Sequence, residues 1–366
     1  MNEENTDVVI VGGGPGGSSS AIAFRNRGFN VTLLEKGTFP KDKVCGELIA
    51  PLGVKELERL DILDAVAARA NEIRRIILYS NKGASNEIEY HEGEFALAIT
   101  RMELDQLLFD VSREKGANTI EGFAVEEIEK EKNTGFKRIA GRYVSSGKRK
   151  IFRARVVINA TGVRGIGKRE KTTHQPLYAF KAYLRGIDCG DATEMFFYRG
   201  GYGGLISTSD GMVTLAFQIE KSHFRLLKEH PVHMLEAILS PRHPILEKLA
   251  HATVVKKWGA IGVTHLGAVR QIPGTWNIGD SSKIIDPFTG LGISLALQGG
   301  RFLGETLDPN QDQPAYDVKT ALNGNRMLLI TVLRHLIFRP VLFHMMIKGS
   351  PMFPWLGRAL INKLHS

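Results

Sequence analysis

One glycine-rich turn constrains this chain more than any other feature. The run Asp7-Val8-Val9-Ile10-Val11, read as a buried strand, enters Gly12-Gly13-Gly14-Pro15-Gly16-Gly17 and leaves it in a helical stretch from Ser18 to Arg27. A second strand, Asn30-Val31-Thr32-Leu33-Leu34, ends at Glu35. Strand, GxGxxG, helix, strand and acid within one short unit is the pattern of a dinucleotide-binding βαβ fold. In that pattern Gly12 permits the tight turn, Gly14 lets the backbone approach a pyrophosphate, and Gly17 lets the helix pack closely. The helix start then offers unpaired N–H groups and a positive dipole end to phosphate. Glu35 is placed to accept hydrogen bonds from a ribose, with Lys36 beside it.

A chain of 366 residues is long enough for one large core or two interleaved domains. Its two cysteines, Cys45 and Cys189, give neither a disulfide framework nor metal-ligand spacing, and suit a reducing, cytoplasmic setting. The histidines show no metal pattern and no Gly-x-Ser-x-Gly elbow is present, so neither a metal site nor a serine hydrolase is expected. The polar start Met-Asn-Glu-Glu-Asn runs straight into the first strand, and no targeting segment is expected.

The formal charge of +9 is uneven. No acidic residue follows Asp317, while Lys319, Arg326, Arg334, Arg339, Lys348, Arg358 and Lys363 do. Apolar clusters fill the same stretch, but charges and Pro340 keep every run below the ~18 residues needed to span a bilayer. Two readings fit: helices lying on the inner face of an anionic membrane, or helices covering the core with their basic faces in water. The basic residues sit among aliphatics rather than stacking aromatics, which argues against nucleic acid.

Along the chain, the pattern predicts an amphipathic helix over 53–70, antiparallel strands at 73–79 and 87–90, and a helix from Thr100 with Glu103 at the capping-box position. An exposed hairpin is expected over 129–150 and buried strands at 156–162 and 276–280. A helix is expected over 290–307. Asp280, just after a buried strand, is placed to bind ribityl or ribose hydroxyls. Pro287, Gly290 and Gly292 lead into a helix start suited to negative charge on a bound ring. Joined to the front motif, this points to a flavin dinucleotide rather than a nicotinamide.

On these residues the chain resembles the flavoproteins that include geranylgeranyl reductases, p-hydroxybenzoate-type hydroxylases and flavin-dependent halogenases. The matching stretches are Gly12 to Glu35, Ile99-Thr100-Arg101 with Leu104-Asp105, Ala160-Thr161-Gly162, and Gly279-Asp280 through Ser294. The resemblance implies an α/β fold: an FAD-binding Rossmann-like domain (1–70, 100–170, 260–310) interleaved with a β-sheet substrate domain (71–99, 171–259) and followed by a basic helical tail (311–366). It implies that Glu35 binds the adenosine ribose, Arg101 lies near the phosphates, and Asp280 meets the linker. Gly162 would stand at the second glycine turn, and Pro287, Gly290 and Gly292 would line the isoalloxazine edge.

Two segments are similar to the geranylgeranyl reductase branch: Pro40-Lys41-Asp42-Lys43-Val44-Cys45-Gly46-Glu47, and Gly200-Gly201-Tyr202-Gly203-Gly204-Leu205-Ile206. By that resemblance Cys45 and Tyr202 approach the flavin and the substrate channel, as catalytic candidates. Each is otherwise a packing residue. The implied activity is an FAD-dependent oxidoreductase that delivers hydride to a C=C bond of a lipophilic substrate. The alternatives are a monooxygenase that hydroxylates or epoxidises such a substrate, and a non-enzymatic flavin-binding protein at a membrane. Thr161 stands where aromatic hydroxylases carry an aspartate, and no second GxGxxG unit exists. The reductant is therefore expected to be NAD(P)H visiting transiently or an external electron carrier.

Overall fold

The computed structural model describes residues 3–166, 177–220, 231–256, 259–264, 267–268, 272, 274–311, 324–349, 357–359 and 363. The front βαβ unit forms, its two strands starting one residue later than read, at Val8 and Val31, and its helix three residues earlier, at Pro15. Strands Val8–Val11, Val31–Leu34 and Val156–Asn159 are buried along their whole length, as strands covered on both faces must be. With Asn118–Ile120 and Trp276–Asn277 they form a five-stranded parallel sheet, in which Val8–Val11 lies between Val31–Leu34 and Val156–Asn159.

Helix α1 (Pro15–Asn26) follows the glycine turn. Next come α2 (Pro51–Arg59), α3 (Leu63–Ala67) and α4 (Arg101–Glu114). Thr100 caps α4 as expected: its hydroxyl oxygen accepts the Glu103 N–H at 3.2 Å, and its hydroxyl donates to the Glu103 carboxylate at 2.7 Å. The other face of the parallel sheet is covered by a four-stranded sheet whose Phe123, Ile139 and Phe152 are buried against Val9 and Val157.

The helix expected over 53–70 is instead α2 and α3. Asp61 turns left-handed at φ 59°, Ile62 N–H returns to the Leu57 carbonyl, and Asp61 N–H returns to that of Glu58. This is a Schellman stop closed by the apolar pair Leu57 and Ile62, built without the glycine that usually marks it. The hairpin expected over 129–150 belongs to a three-strand meander, Phe123–Lys130, Lys137–Tyr143 and Arg149–Ala154. The segment expected as a strand over 276–280 pairs only at Trp276–Asn277, and Asp280 falls in a 3-10 turn, Gly279–Ser281.

The second half is a largely antiparallel sheet. Strands Leu177–Arg185, Val213–Glu220, Gly201–Ser207, Ala192–Tyr198, Arg75–Tyr79 and Ser85–Glu89 lie side by side. Gly259–Thr264 pairs with Leu177–Arg185, so this sheet runs past residue 259. Alternation assigns its two faces. On Ala192–Tyr198, Phe196 and Tyr198 enter a core with Met234 and Leu235 of α5 (Pro231–Glu236) and Ile245 and Leu249 of α6 (Pro244–Leu249). Met195 and Phe197 face the other way, toward the nucleotide half. Helix α7 (Gly292–Thr306) crosses α1 closely: a Cβ on Gly300 would lie 2.2 Å from the Gly16 carbonyl oxygen.

The tail forms α8 (Gly324–Ile337) and α9 (Pro340–Gly349), bent by 104° at the break between them. Ile330, Ile337, Phe343 and Ile347 are buried against Phe197, Tyr202 and Phe288. One face of the tail therefore covers the core, while the opposite face is left in solvent.

Candidate active site

Between the two halves lies a cavity of about 1750 Å3. Every candidate site residue named from the sequence lines it except Gly17. That exception follows from geometry. A Cβ on Gly17 would sit 1.8 Å from the Gly12 carbonyl oxygen, so Gly17 serves the packing of α1 on the turn. Gly12 holds φ 108°, and a Cβ there would meet the Ala160 carbonyl oxygen at 2.4 Å.

Gly14 differs. Its backbone is ordinary, φ −77° and ψ −174°, and a Cβ would come no nearer to protein than 3.9 Å from Arg101 Nη2 and 4.0 Å from Asp105 Oδ2. Among the described residues nothing requires glycine here. The space before it is open, and α1 starts without a side-chain cap. Its N-terminal N–H groups and the adjoining guanidinium fit a pyrophosphate.

Glu35, 7% exposed, is fixed at the end of its strand. Its carboxylate accepts the Gly13 N–H at 2.8 Å and the Gly37 N–H at 2.7 Å, and pairs with Lys41 at 2.5 Å. It thereby braces the glycine turn, and Oε2, which has a single donor among the described residues, keeps capacity for a ribose hydroxyl. Arg101 is buried in a two-pronged pair with Asp105, at 2.8 and 2.6 Å. Burial works against its charge, but Asp105 and the Cys45 sulfur outweigh that and hold the guanidinium protonated more firmly than usual.

Cys45 is half-buried on the loop opposite. Its Sγ accepts the Glu47 N–H at 3.3 Å, beside Arg101.

The second glycine turn approaches from the strand Val156–Asn159. Gly162 holds φ 69°, and its N–H donates to Ser281 Oγ at 2.7 Å, which locks this turn to the one carrying Asp280. Asp280 lies 3.4 Å from Lys43 Nζ. Pro287 opens a 3-10 turn, Gly290 at φ 67° ends it, and α7 then starts at Gly292 without a side-chain cap. The sequence thus brought three distant stretches to one wall, with the helix start two residues later than expected.

Beyond Gly290 the cavity turns apolar, with Ile76, Leu78, Met195 and Phe197 from the sheet and Ile337, Phe343 and Ile347 from the tail. Tyr202 stands in this wall, buried, and its hydroxyl donates to Asp286 Oδ1 at 2.6 Å. Burial pushes its phenol well above the usual value, so it stays neutral. Asp286 also meets the Arg334 guanidinium of α8.

Sequence reasoning missed the polar cluster behind the Cys45 loop. Glu47, fully buried and left-handed at φ 60°, accepts the Arg101 N–H and the Tyr183 hydroxyl, each at 2.9 Å, and pairs with Lys181 at 2.5 Å. Lys181 also reaches Asp42 at 2.7 Å. The cluster ties the cofactor-side loop to the substrate-side sheet. The available signal was Lys181 itself, a charge amid the apolar strand Leu177–Arg185, which requires a buried partner.

Residues 5–181 match the FAD binding domain family. The chain is 26% identical over 337 residues to menaquinone reductase of Mycobacterium tuberculosis, covering 84% of this chain and 77% of that protein. It is 28% identical over 322 residues to digeranylgeranylglycerophospholipid reductase 1 of Methanococcoides burtonii, covering 83% and 74%. It is also 25% identical over 336 residues to conditioned medium factor receptor 1 of Dictyostelium discoideum, covering 82% of this chain but only 62% of that protein's length. Among solved structures, a flavoprotein/dehydrogenase from Cytophaga hutchinsonii superposes with a TM-score of 0.84 at 18% identity, over 98% of this chain and 92% of that one. That likeness establishes the fold.

Proposed function

We propose that this chain, an FAD-dependent oxidoreductase of the geranylgeranyl reductase and hydroxylase superfamily, saturates a C=C bond in a long lipophilic substrate. The observation that carries this reading is the continuity of the cavity. Its polar end fits a flavin dinucleotide and its other end is an apolar chamber, in a volume of about 1750 Å3 that exceeds the ~300–1,000 Å3 of a single-ligand pocket. Two of the relatives are named for reductases, one of a menaquinone and one of a geranylgeranyl lipid.

A bound reduced flavin would supply the hydride. The chain supplies the rest. The Gly14 cradle, Arg101 and the uncapped helix starts orient the dinucleotide, and the apolar wall excludes water and aligns the alkene. The second hydrogen is assigned, as a proton, to Cys45, which lines the cavity and whose sulfur accepts rather than donates in its bond with the Glu47 N–H. The Tyr202 proton is committed to Asp286, so Tyr202 is a positioning residue. No second nucleotide unit exists among the described residues, which favours a transient nicotinamide or a separate electron carrier as reductant.

The test is incubation of the dithionite-reduced holoprotein with a polyprenyl alkene, in parallel without oxygen and in air, followed by mass spectrometry. A product heavier by two hydrogens is expected. A product heavier by one oxygen, formed only in air, would replace this reading with oxygenation.

A further inference from the structure

The solvent-facing side of the tail is the most apolar exposed surface described. Of the seven large hydrophobic residues exposed among the described residues, five lie on α8 and α9: Val332, Val341, Leu342, Met345 and Met346. Val341 is 69% and Met345 56% exposed. Isolated exposed apolar residues need no explanation, but a cluster of this kind on two adjoining helices does.

Every charged residue on α8 and α9 is basic. Arg339 and Lys348 are exposed within the cluster, Lys82 stands close to His344 on the same side, and Lys363 is exposed further along. Arg358 is paired with Glu89 at 3.2 Å, and no acidic residue follows Asp317. Arg334, by contrast, is turned inward to Asp286. A basic rim around an apolar face complements an anionic lipid surface.

The geometry also decides between lying on a bilayer and crossing it. Among the described residues no single helix is long and apolar enough to cross, and α8 and α9 meet at 104°. Their other faces are buried in the core through Ile330, Ile337, Phe343 and Ile347. The pair can enter lipid only by its outer face.

We infer that the outer face of α8 and α9 docks the protein on an anionic membrane surface, with Val341, Leu342 and Met345 inserted among the lipids and Arg339 and Lys348 at the headgroups. This face is also where the cavity meets the surface: Leu336 lines both the cavity and an outer groove with Val332 and Leu342, and Met346, 39% exposed, lines the cavity. Docking therefore brings the apolar chamber to the bilayer. The docking itself does not rest on the proposed reaction; delivery of an alkene from lipid through this opening does.

The test is co-sedimentation of the full-length holoprotein, without substrate, with vesicles of phosphatidylcholine alone or mixed with phosphatidylglycerol. Binding to the mixed vesicles is expected, weakened by salt and far weaker on phosphatidylcholine alone. V341E/M345E is expected to abolish it, and R339E/K348E to lower partitioning at least about 25-fold, at ~1 kcal/mol per charge. The flavin spectrum and melting temperature of each variant show that it has folded, and the charge-reversal pair gives an independent reading if the apolar pair does not fold. Failure of the native protein to bind mixed vesicles at low salt would overturn the inference, as would equal binding by folded variants. A dimer that M345E converts to monomer, without vesicle binding, would assign the face to self-association instead. Vesicle binding without any alkene reduction would leave the docking standing and sink only the proposed reaction.

Discussion

Gly14 and Gly17 belong to one motif, yet the structure gives them separable roles, and substituting them one at a time tests the cofactor cradle. Gly14→Asp places a side chain where the nearest protein atoms are 3.9 Å and 4.0 Å from a Cβ, on a backbone that any residue adopts. Position 14 is also the N-cap of α1, where aspartate is among the preferred residues. The cofactor-free variant should therefore melt at or slightly above the native temperature. A pyrophosphate would lose its place: two charge-assisted N–H bonds at ~1.5–3 kcal/mol each amount to ~3–6 kcal/mol. That is ~10²–10⁴ in Kd before like-charge repulsion is added. Gly17→Ala behaves oppositely. Its Cβ would lie 1.8 Å from the Gly12 carbonyl oxygen, so α1 must shift, at a cost of ~1–3 kcal/mol of stability without any cofactor present. The assay is titration of FAD into each apoprotein by flavin fluorescence, beside thermal melts of the same samples. FAD binding by Gly14→Asp within tenfold of native, or an apoprotein melt as low as that of Gly17→Ala, would refute the assignment.

Cys45→Ser should retain FAD but slow alkene reduction by ~10²-fold or more, as loss of a positioned acid does; an unchanged single-turnover rate would remove Cys45 from proton delivery. Tyr202→Phe leaves Asp286 buried with one donor fewer, worth ~1.5–3 kcal/mol, and at ~2.1 cal/mol/K per residue should lower the melting temperature by ~2–4 °C. An unchanged melting temperature would contradict the Tyr202–Asp286 bond. For Asp42, burial alone would raise the carboxyl, but Lys181 and Lys256 hold it below its ordinary value. The native chain thus binds this proton more weakly than the unfolded chain, so the stability it contributes is full above about pH 4 and is lost as pH falls through the lower native value. Asp42→Asn should be less stable than the native protein near neutral pH, with the gap closing in acid; a gap of constant size across a pH series of melts would show that Asp42 is not responsible.

Much of the nucleotide half was legible because each of its signals is local. A buried strand, a glycine turn and a helix start occupy consecutive residues, so Gly12 to Glu35, and Thr100 with Glu103, could be placed without tertiary information. What was hidden depends on partners far away in sequence. The stop after Arg59 uses Asp61 rather than glycine, so nothing local marks it. The role of Glu47 appears only when Lys181 and Tyr183 arrive from another sheet. The tail looked like a choice between covering the core and facing a membrane, because its composition carries both signals. The structure shows the first of these, with Ile330 and Phe343 buried in the core, and leaves Val341 and Met345 exposed on the other face, where the membrane is our inference.

The most direct measurement is of what the purified chain carries. Heat-released cofactor, separated by chromatography and weighed against protein by absorbance, should be FAD at one molecule per chain, and should fall away in Gly14→Asp. Recovery of NAD, or of no nucleotide from a folded chain that also fails to take up added FAD, would contradict the account at its foundation.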